Sequence, residues 1–354
     1  MDIAELLKAA VGGAEPDKVP GVVVASSNAR KGEAEFYCEG FADIASGRKM
    51  TPDTLFWMAS NTKAVAAALV LMFVDDGLLA LDDPAEKFIP SWAKIKAAKR
   101  PTVRMLLSHQ SGLSFFPAFE GEPFKIDVRP VAALAEVAAE RPLDHEPCTK
   151  YLYSNWGIDT AMAILERISG RKFEDLMAER IFRPLGMNDS YFFLGEKELA
   201  RLATSYTISV DKAPVAQTVD QCIYPYGREG RFAEAGGGLF STPRDMDRFF
   251  RMIAANGVTP SGERLISEAS MDEWFTPQAK INDVSTYSFG MEVSADRSCL
   301  AHGGAYWTHG RANRVTGDAV SLFVSIVGEN AGLDKLRQLR NEKTVIGSGV
   351  FKAG

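Results

Sequence analysis

Apolar residues follow three regimes along the chain. Gly21-Val22-Val23-Val24-Ala25 and Glu33-Ala34-Glu35-Phe36-Tyr37-Cys38 are short β-rich stretches on either side of the turn-forming Ser26-Ser27-Asn28-Ala29-Arg30-Lys31-Gly32, a pattern that predicts a hairpin. From Asn61 to Asp76 the chain changes to a long run of Ala, Val, Leu, Met and Phe that stops at Gly77, a residue suited to the C′ position of a helix. A helix apolar on all sides is expected to be buried. Between Asp82 and Arg201 the pattern is helical and irregular, clearest over Val131 to Glu140 and Gly157 to Ser169, with no evident strand pair.

After Gly230 the β signal returns, over Phe289 to Val293, Leu300 to His302 and the continuous run Ala319-Val320-Ser321-Leu322-Phe323-Val324-Ser325-Ile326-Val327. Strands at both ends with helices between them imply a discontinuous α/β domain, residues 1–80 and 230–354, interrupted by a mostly helical domain over 81–229. No internal repeat or low-complexity linker separates them.

Composition narrows the function classes. The 354 residues are 46% hydrophobic and 24% charged, which excludes a disordered or fibrous chain. The 40 basic and 46 acidic residues are well mixed and sum to −6, leaving no basic stripe for nucleic acid. Cys38, Cys148, Cys222 and Cys299 stand far apart and read as free thiols, without the close pairing of zinc or redox motifs. Four histidines make a metal site improbable. Ala64 to Val74, the longest charge-free apolar run, is about half of the ~20 residues a membrane span needs. The N-terminus Met1-Asp2-Ile3-Ala4-Glu5 lacks the basic and apolar regions of a secretory signal. The expected location is therefore cytoplasmic for the chain as given, and periplasmic or extracellular if it was trimmed.

Several chemical motifs are missing: G-x-S-x-G, H-E-x-x-H, G-x-x-x-x-G-K-[ST] and G-x-G-x-x-G. S-x-x-K is present. A serine opening a helix meets a lysine one turn on, so a desolvated amine can polarise or deprotonate the hydroxyl. The motif occurs five times, at Ser46/Lys49, Ser60/Lys63, Ser91/Lys94, Ser169/Lys172 and Ser209/Lys212. Four of these fall in turns, a basic stretch or a helix end. Only Ser60-Asn61-Thr62-Lys63 lies between an aromatic lead-in, Phe56-Trp57-Met58-Ala59, and an apolar helix able to desolvate the lysine.

Tyr-x-Asn occurs once, at Tyr153-Ser154-Asn155. Together these motifs resemble the serine β-lactamase and penicillin-binding-protein-like superfamily, in particular its branch of class C β-lactamases, D-alanyl-D-alanine carboxypeptidases and β-lactamase-like (family VIII) carboxylesterases. The resemblance implies Ser60 as nucleophile, Lys63 and Tyr153 as the proton-handling pair, and Asn155 as the side chain that holds Lys63 and the substrate. The family's third motif, K-T-G or a variant, is similar to His302-Gly303-Gly304. The N–H of the following Ala305 would then complete an oxyanion hole with that of Ser60. Leu106 to Leu113, Pro184-Leu185-Gly186-Met187 and Gly236 to Thr242 resemble further family segments, so the likeness runs over residues 20 to 330. His109 reads as a packed, hydrogen-bonded histidine.

The implied fold is a β-lactamase/transpeptidase-like α/β (α+β) fold, an antiparallel sheet flanked by helices plus a helical insert, with the site in the groove between them. The implied activity is hydrolysis of a small-molecule ester or amide, with no cofactor and no metal; the oligomeric state stays open. Gly303 carries no hydroxyl and His302 is neutral near its ordinary pKa of ~6.5, so recognition of a substrate carboxylate is weakened unless Arg311 or Arg314 replaces the missing cation. That favours a simple carboxylic ester. A β-lactamase or D-amino-acid amidase on the same site, and a catalytically silent binding protein, are the alternatives.

Overall fold

The structure, a computed structural model, describes residues 3–32, 34–115, 130–217 and 232–341. In chain order the strands are β1 (Gly21–Asn28), β2 (Glu35–Asp43), β3 (Arg48–Lys49), β4 (Phe56–Trp57), β5 (Tyr206–Ile208), β6 (Pro214–Ala216), β7 (Phe240–Ser241), β8 (Ala279–Lys280), β9 (Thr286–Tyr287), β10 (Glu292–Val293), β11 (Cys299–Gly303), β12 (Thr308–Asn313), β13 (Asp318–Phe323) and β14 (Ile326–Val327). The helices are α1 (Ile3–Ala10), α2 (Thr62–Asp75), α3 (Val103–Leu107), α4 (Val131–Ala138), α5 (Asn155–Ser169), α6 (Phe173–Met177), α7 (Arg183–Leu185), α8 (Glu196–Leu199), α9 (Pro243–Ala254), α10 (Glu268–Trp274) and α11 (Ala331–Asn341).

Nine strands form one antiparallel sheet in the order β3-β2-β1-β13-β12-β11-β10-β9-β8. Its central seam joins the two ends of the chain, with Val23 opposite Phe323 and Ala25 opposite Ser321. The fold is mixed α/β, a large antiparallel sheet with helices on both faces, because β1 alternates between two apolar environments. Val22 and Val24 pack with Ile3, Leu6 and Leu7 of α1 and Leu333 and Leu336 of α11. Val23 joins Phe323, α2 and α9 on the opposite face. Gly310 of β12 admits α9 closely, since a Cβ there would lie 1.8 Å from the Phe250 ring.

The all-apolar run folds as expected. A 3-10 turn, Ala59–Asn61, leads into α2, and every residue from Thr62 to Phe73 is buried. Gly77 ends it at φ +71°. Burial of Leu69, Val70, Leu71 and Phe73 contributes about 1.5–3 kcal/mol each, which offsets the cost of burying the one charged side chain among them, Lys63.

Four expectations change in detail. The run 319–327 is two strands, because Ser325 at φ +65° turns the chain out of the main sheet. Its last residues, β14, pair in parallel with β5. That brings the β5–β6 hairpin into a second, three-stranded sheet, although its residues lie in the stretch read as mostly helical. Of Phe289–Val293 only Glu292 and Val293 are strand; Gly290 at φ +63° bends the segment against the Lys63 carbonyl, to which a Cβ would come within 2.4 Å. The first turn is also shorter, because β1 continues to Asn28 and pairs with Asp318.

Cys38 and Cys148 are exposed and Cys299 is buried, all as free thiols; Cys222 lies outside the described residues. Among the described residues no helix is long and apolar enough to cross a membrane.

Candidate active site

Ser60 sits in a turn clamped from two sides. Behind it, the Trp57 indole N–H donates to Gly237 O at 2.6 Å and the Met58 N–H donates to Leu239 O at 2.8 Å. In front, the Thr308 hydroxyl donates to Met58 O at 3.0 Å, and Asn61 Nδ2 donates to Thr308 Oγ1 at 3.1 Å. The clamp holds Ala59 at φ +45°, a left-handed conformation that costs a non-glycine residue about 1–3 kcal/mol. Gly304 presses against the same turn, where a Cβ would lie 2.4 Å from Met58 O and 3.3 Å from Ala59 Cβ.

Lys63, the second residue of α2 and one turn after Ser60, is fully buried. Its Nζ lies 3.0 Å from Ser60 Oγ and donates to Gly236 O at 2.5 Å. The other four S-x-x-K pairs have different fates. Ser46/Lys49 and Ser209/Lys212 flank hairpin turns, the Ser91 hydroxyl donates to Glu136, and Lys172 pairs with Glu166 at 3.4 Å.

One side of Lys63 is aromatic. Tyr153 precedes the Ser154 N-cap of α5, whose hydroxyl accepts from the Gly157 N–H at 2.9 Å. Lys63 Nζ lies 4.6 Å from the Tyr153 ring centroid, and Tyr153 Oη is 3.2 Å from His302 Nε2. The phenol thus bonds to His302 rather than to Ser60. His109, at φ +59°, grips the backbone on both sides of Tyr153: its carbonyl accepts from the Leu152 N–H at 2.8 Å and its Nδ1 from the Ser154 N–H at 3.2 Å. With Nδ1 accepting, the ring proton is on Nε2, which faces Tyr287 Oη at 3.2 Å. The His109, Tyr151, Tyr153 and Tyr287 rings contact one another, and Phe115 stacks on Tyr153 at 5.9 Å. Burial first, and Lys63 next, hold both His109 and His302 well below the usual imidazole value, so both rings are neutral. Burial likewise raises the Tyr287 and Tyr151 phenols far above theirs.

The opposite side is acidic. Asn155 and Asp159 share a face of α5, one turn apart. Asn155 Nδ2 donates to Glu234 Oε1 at 3.0 Å, and Asp159 Oδ1 accepts from the Ala235 and Gly236 N–H groups at 2.8 and 3.2 Å. Gly236 allows this approach, since a Cβ would meet Asn155 Cβ and Cγ at 2.7 Å and Glu234 Oε1 at 2.9 Å.

The β11–β12 hairpin carries the remaining predicted residues. Gly303 and Ala305 are exposed and His302 is buried. A Cβ at Gly303 would meet nothing closer than His309 Nδ1 at 3.4 Å. Neither arginine considered as a replacement cation faces His302. Arg311 stands opposite Ala301, one position out of phase with His302 and therefore on the other face of the sheet, with its guanidinium 3.3 Å from Cys299 Sγ. Arg314 bonds Asp272 at 2.7 Å.

The structure therefore gathers Ser60, Lys63, Tyr153, Asn155, His302 and Gly304 around one point. It does not join Tyr153 to Ser60, or Asn155 to Lys63, by a direct hydrogen bond among the described residues. Sequence reading missed Asp159 and Glu234. Their signals were present: an acid one turn after the asparagine of Tyr-x-Asn, and an acid two residues before Gly236-Gly237-Gly238.

The family profile described as Beta-lactamase matches residues 7–344. Penicillin-binding protein 4 of Amycolatopsis lactamdurans is 30% identical over 68% of this chain and 61% of its own length. Esterase EstB of Burkholderia gladioli is 28% identical over 69% of this chain and 68% of its own. The chain spans 61% of the length of several curated relatives it matches. Among solved structures, EstCE1, a hydrolase with promiscuous acyltransferase activity, superposes at TM-score 0.78 with 18% identity, covering 95% of this chain and 96% of that one.

Proposed function

This chain belongs to the β-lactamase family, and we propose that it is a serine hydrolase that cleaves small carboxylic esters through an acyl-enzyme on Ser60. The observation that carries the reading is the 3.0 Å contact between a fully buried Lys63 Nζ and Ser60 Oγ, a nucleophile and base within hydrogen-bond reach. Ser60 Oγ attacks the carbonyl as its proton passes to Lys63. Tyr153, held by His302 and stacked under the ammonium, helps return that proton to the departing alcohol. The Ser60 and Ala305 N–H groups hold the oxyanion, with Gly304 keeping the hairpin against the Met58-Ala59 turn. Asn155 lines the substrate side, and water then releases the acid. The ester enters the groove between the discontinuous α/β portion, 1–80 and 230–354, and the helical insert, 81–229.

The ester preference rests on charge. Charge-assisted hydrogen bonds to a substrate carboxylate are worth ~1.5–3 kcal/mol each. His302 is neutral, Gly303 has no side chain, and Arg311 and Arg314 are turned away. An anionic β-lactam or peptide loses more from this than an uncharged ester does.

A panel of p-nitrophenyl short-chain esters, nitrocefin and a D-alanyl p-nitroanilide, run on wild type and Ser60→Ala, tests the proposal. Wild type is expected to turn over the esters fastest. Ser60→Ala is expected to lose activity by several orders of magnitude, together with the fluorophosphonate mass shift on Ser60. Full activity in Ser60→Ala refutes the mechanism, whereas faster turnover of nitrocefin or the anilide moves the substrate class to amides.

A further inference from the structure

Lys63, Asp159 and Glu234 are 0%, 3% and 2% exposed, so three ionisable groups share one desolvated space. With all three charged, a single cation faces two anions, and a net buried charge is costly. The hydrogen bonds point the same way. Asp159 Oδ1 accepts from two backbone N–H groups, the setting of a carboxylate, whereas Glu234 Oε2 is buried with no hydrogen-bond partner among the described residues. A proton on Oε2 removes the charge from that unpartnered oxygen and leaves one anion against one cation.

We propose that Asp159 and Glu234 hold a single proton between them, on Glu234, and that Asp159 supplies the one negative charge against which Lys63 takes up and returns the Ser60 proton. Both are positioning residues, since neither touches Ser60. This rests on the Ser60 hydrolase reading and adds to it the device that makes a buried lysine usable.

The electrostatics agree with the geometry. Burial, reinforced by the neighbouring Asp159, drives Glu234 far above the usual carboxyl value. Burial also pushes Asp159 up, but only to about 7, because its two N–H donors and Lys63 favour the anion. The other titratable groups around Lys63 are Tyr153, His302 and His109, and both histidines are neutral.

In the acylation step the Ser60 Oγ–C bond forms, the carbonyl π pair moves to oxygen, and the Oγ proton goes to Lys63 Nζ. When the C–O bond breaks, that proton leaves on the alcohol. The proton count of Asp159 and Glu234 never changes. Their fixed arrangement also holds Gly236, whose carbonyl accepts from Lys63.

The test reads the acid limb of the pH profile of kcat/KM on p-nitrophenyl acetate, with KM recorded separately. Asp159→Asn removes the anion beside the Ser60–Lys63 pair and should move the limb down by about one pH unit or more, tenfold in proton concentration. KM should change by less than about twofold, as expected for a group acting on the chemical step. Glu234→Gln keeps the bond to Asn155 and the charge at 159, so its limb should move by less than half as much. A lowered kcat with an unmoved limb in Asp159→Asn, or an equal shift in Glu234→Gln, overturns the proposal.

An infrared spectrum of the intact wild type at neutral pH gives a readout independent of turnover and of whether Asp159→Asn folds. A protonated-carboxyl band that disappears in Glu234→Gln is expected. A wild type without that band overturns the proposal even if Ser60 proves to be the nucleophile. Failure of wild type to cleave esters or to label at Ser60 instead defeats the hydrolase reading and leaves the infrared result standing.

Discussion

On one side of Lys63 lie two carboxyls tied to backbone and amide groups; on the other lie tyrosines and histidines tied mostly to one another. Both sides are buried, yet burial acts on them in opposite directions. It drives the imidazoles His109 and His302 toward their neutral forms and raises the phenol of Tyr287, so the aromatic side is neutral. On the acidic side it raises Asp159 only to about 7, since two N–H donors and Lys63 resist. The lysine therefore stands between a neutral aromatic surface and one on which a single negative charge is proposed. In this comparison, desolvation tunes a site only through the partners it leaves in place.

The comparison breaks most visibly at Tyr153. Tyr153→Phe keeps the ring under Lys63 and removes only the hydroxyl, and turnover should fall by about 10²–10⁴, the usual worth of a proton-transfer group. A mild loss in steady-state kcat would assign the proton handling to Lys63 alone. His109→Phe comes next. It preserves the ring contacts but orphans the Ser154 N–H and the Tyr287 hydroxyl, and should cost about 1–3 kcal/mol in denaturant unfolding, with a lower kcat as Tyr153 loosens.

On the acidic side the expected change is one of slope. Because Asp159 is raised from 3.8 to about 7, the folded state binds its proton more tightly than the unfolded chain does. Its contribution to stability is fully present below about pH 4 and is lost as pH rises through about 7. Asp159→Asn should flatten that part of the stability profile, measured as Tm against pH. The smallest effect belongs to Gly303→Thr, where the nearest atom to a new Cβ is 3.4 Å away. Unfolding free energy should shift by no more than about 0.5 kcal/mol, while turnover of carboxylate-bearing nitrocefin should rise relative to the p-nitrophenyl ester.

The two sides were unequally legible in the sequence. Local pattern was enough for α2, since sixteen consecutive residues ending at Gly77 admit only a buried helix, and for the hairpin of β1 and β2. Motif chemistry singled out Ser60 and Lys63, whose side chains the fold brings to 3.0 Å. Strand ends escaped, because the chain leaves the main sheet where the Ser325 and Ile326 N–H groups both donate to Tyr306 O, a contact no local pattern encodes. Asp159 and Glu234 escaped for a similar reason. Seventy-five positions apart, each alone reads as an ordinary helix or loop acid; only the tertiary fold, which lets Gly236 approach Asn155, reveals that both are desolvated around a lysine. His109 read correctly as packed, but its grip on the Tyr153 backbone depends on a left-handed φ that periodicity cannot show.

The clamp on the Ser60 turn has a consequence in time. Thr308 reaches Met58 across 250 residues, and Lys63 reaches Gly236 across 173. Contacts of such separation form slowly and only after intervening chain has closed into loops. A nascent chain still short of Thr308 carries the serine and its lysine but not the front half of the clamp. The rate at which the proposed nucleophile Ser60 becomes reactive toward a fluorophosphonate during refolding should therefore report the arrival of β12.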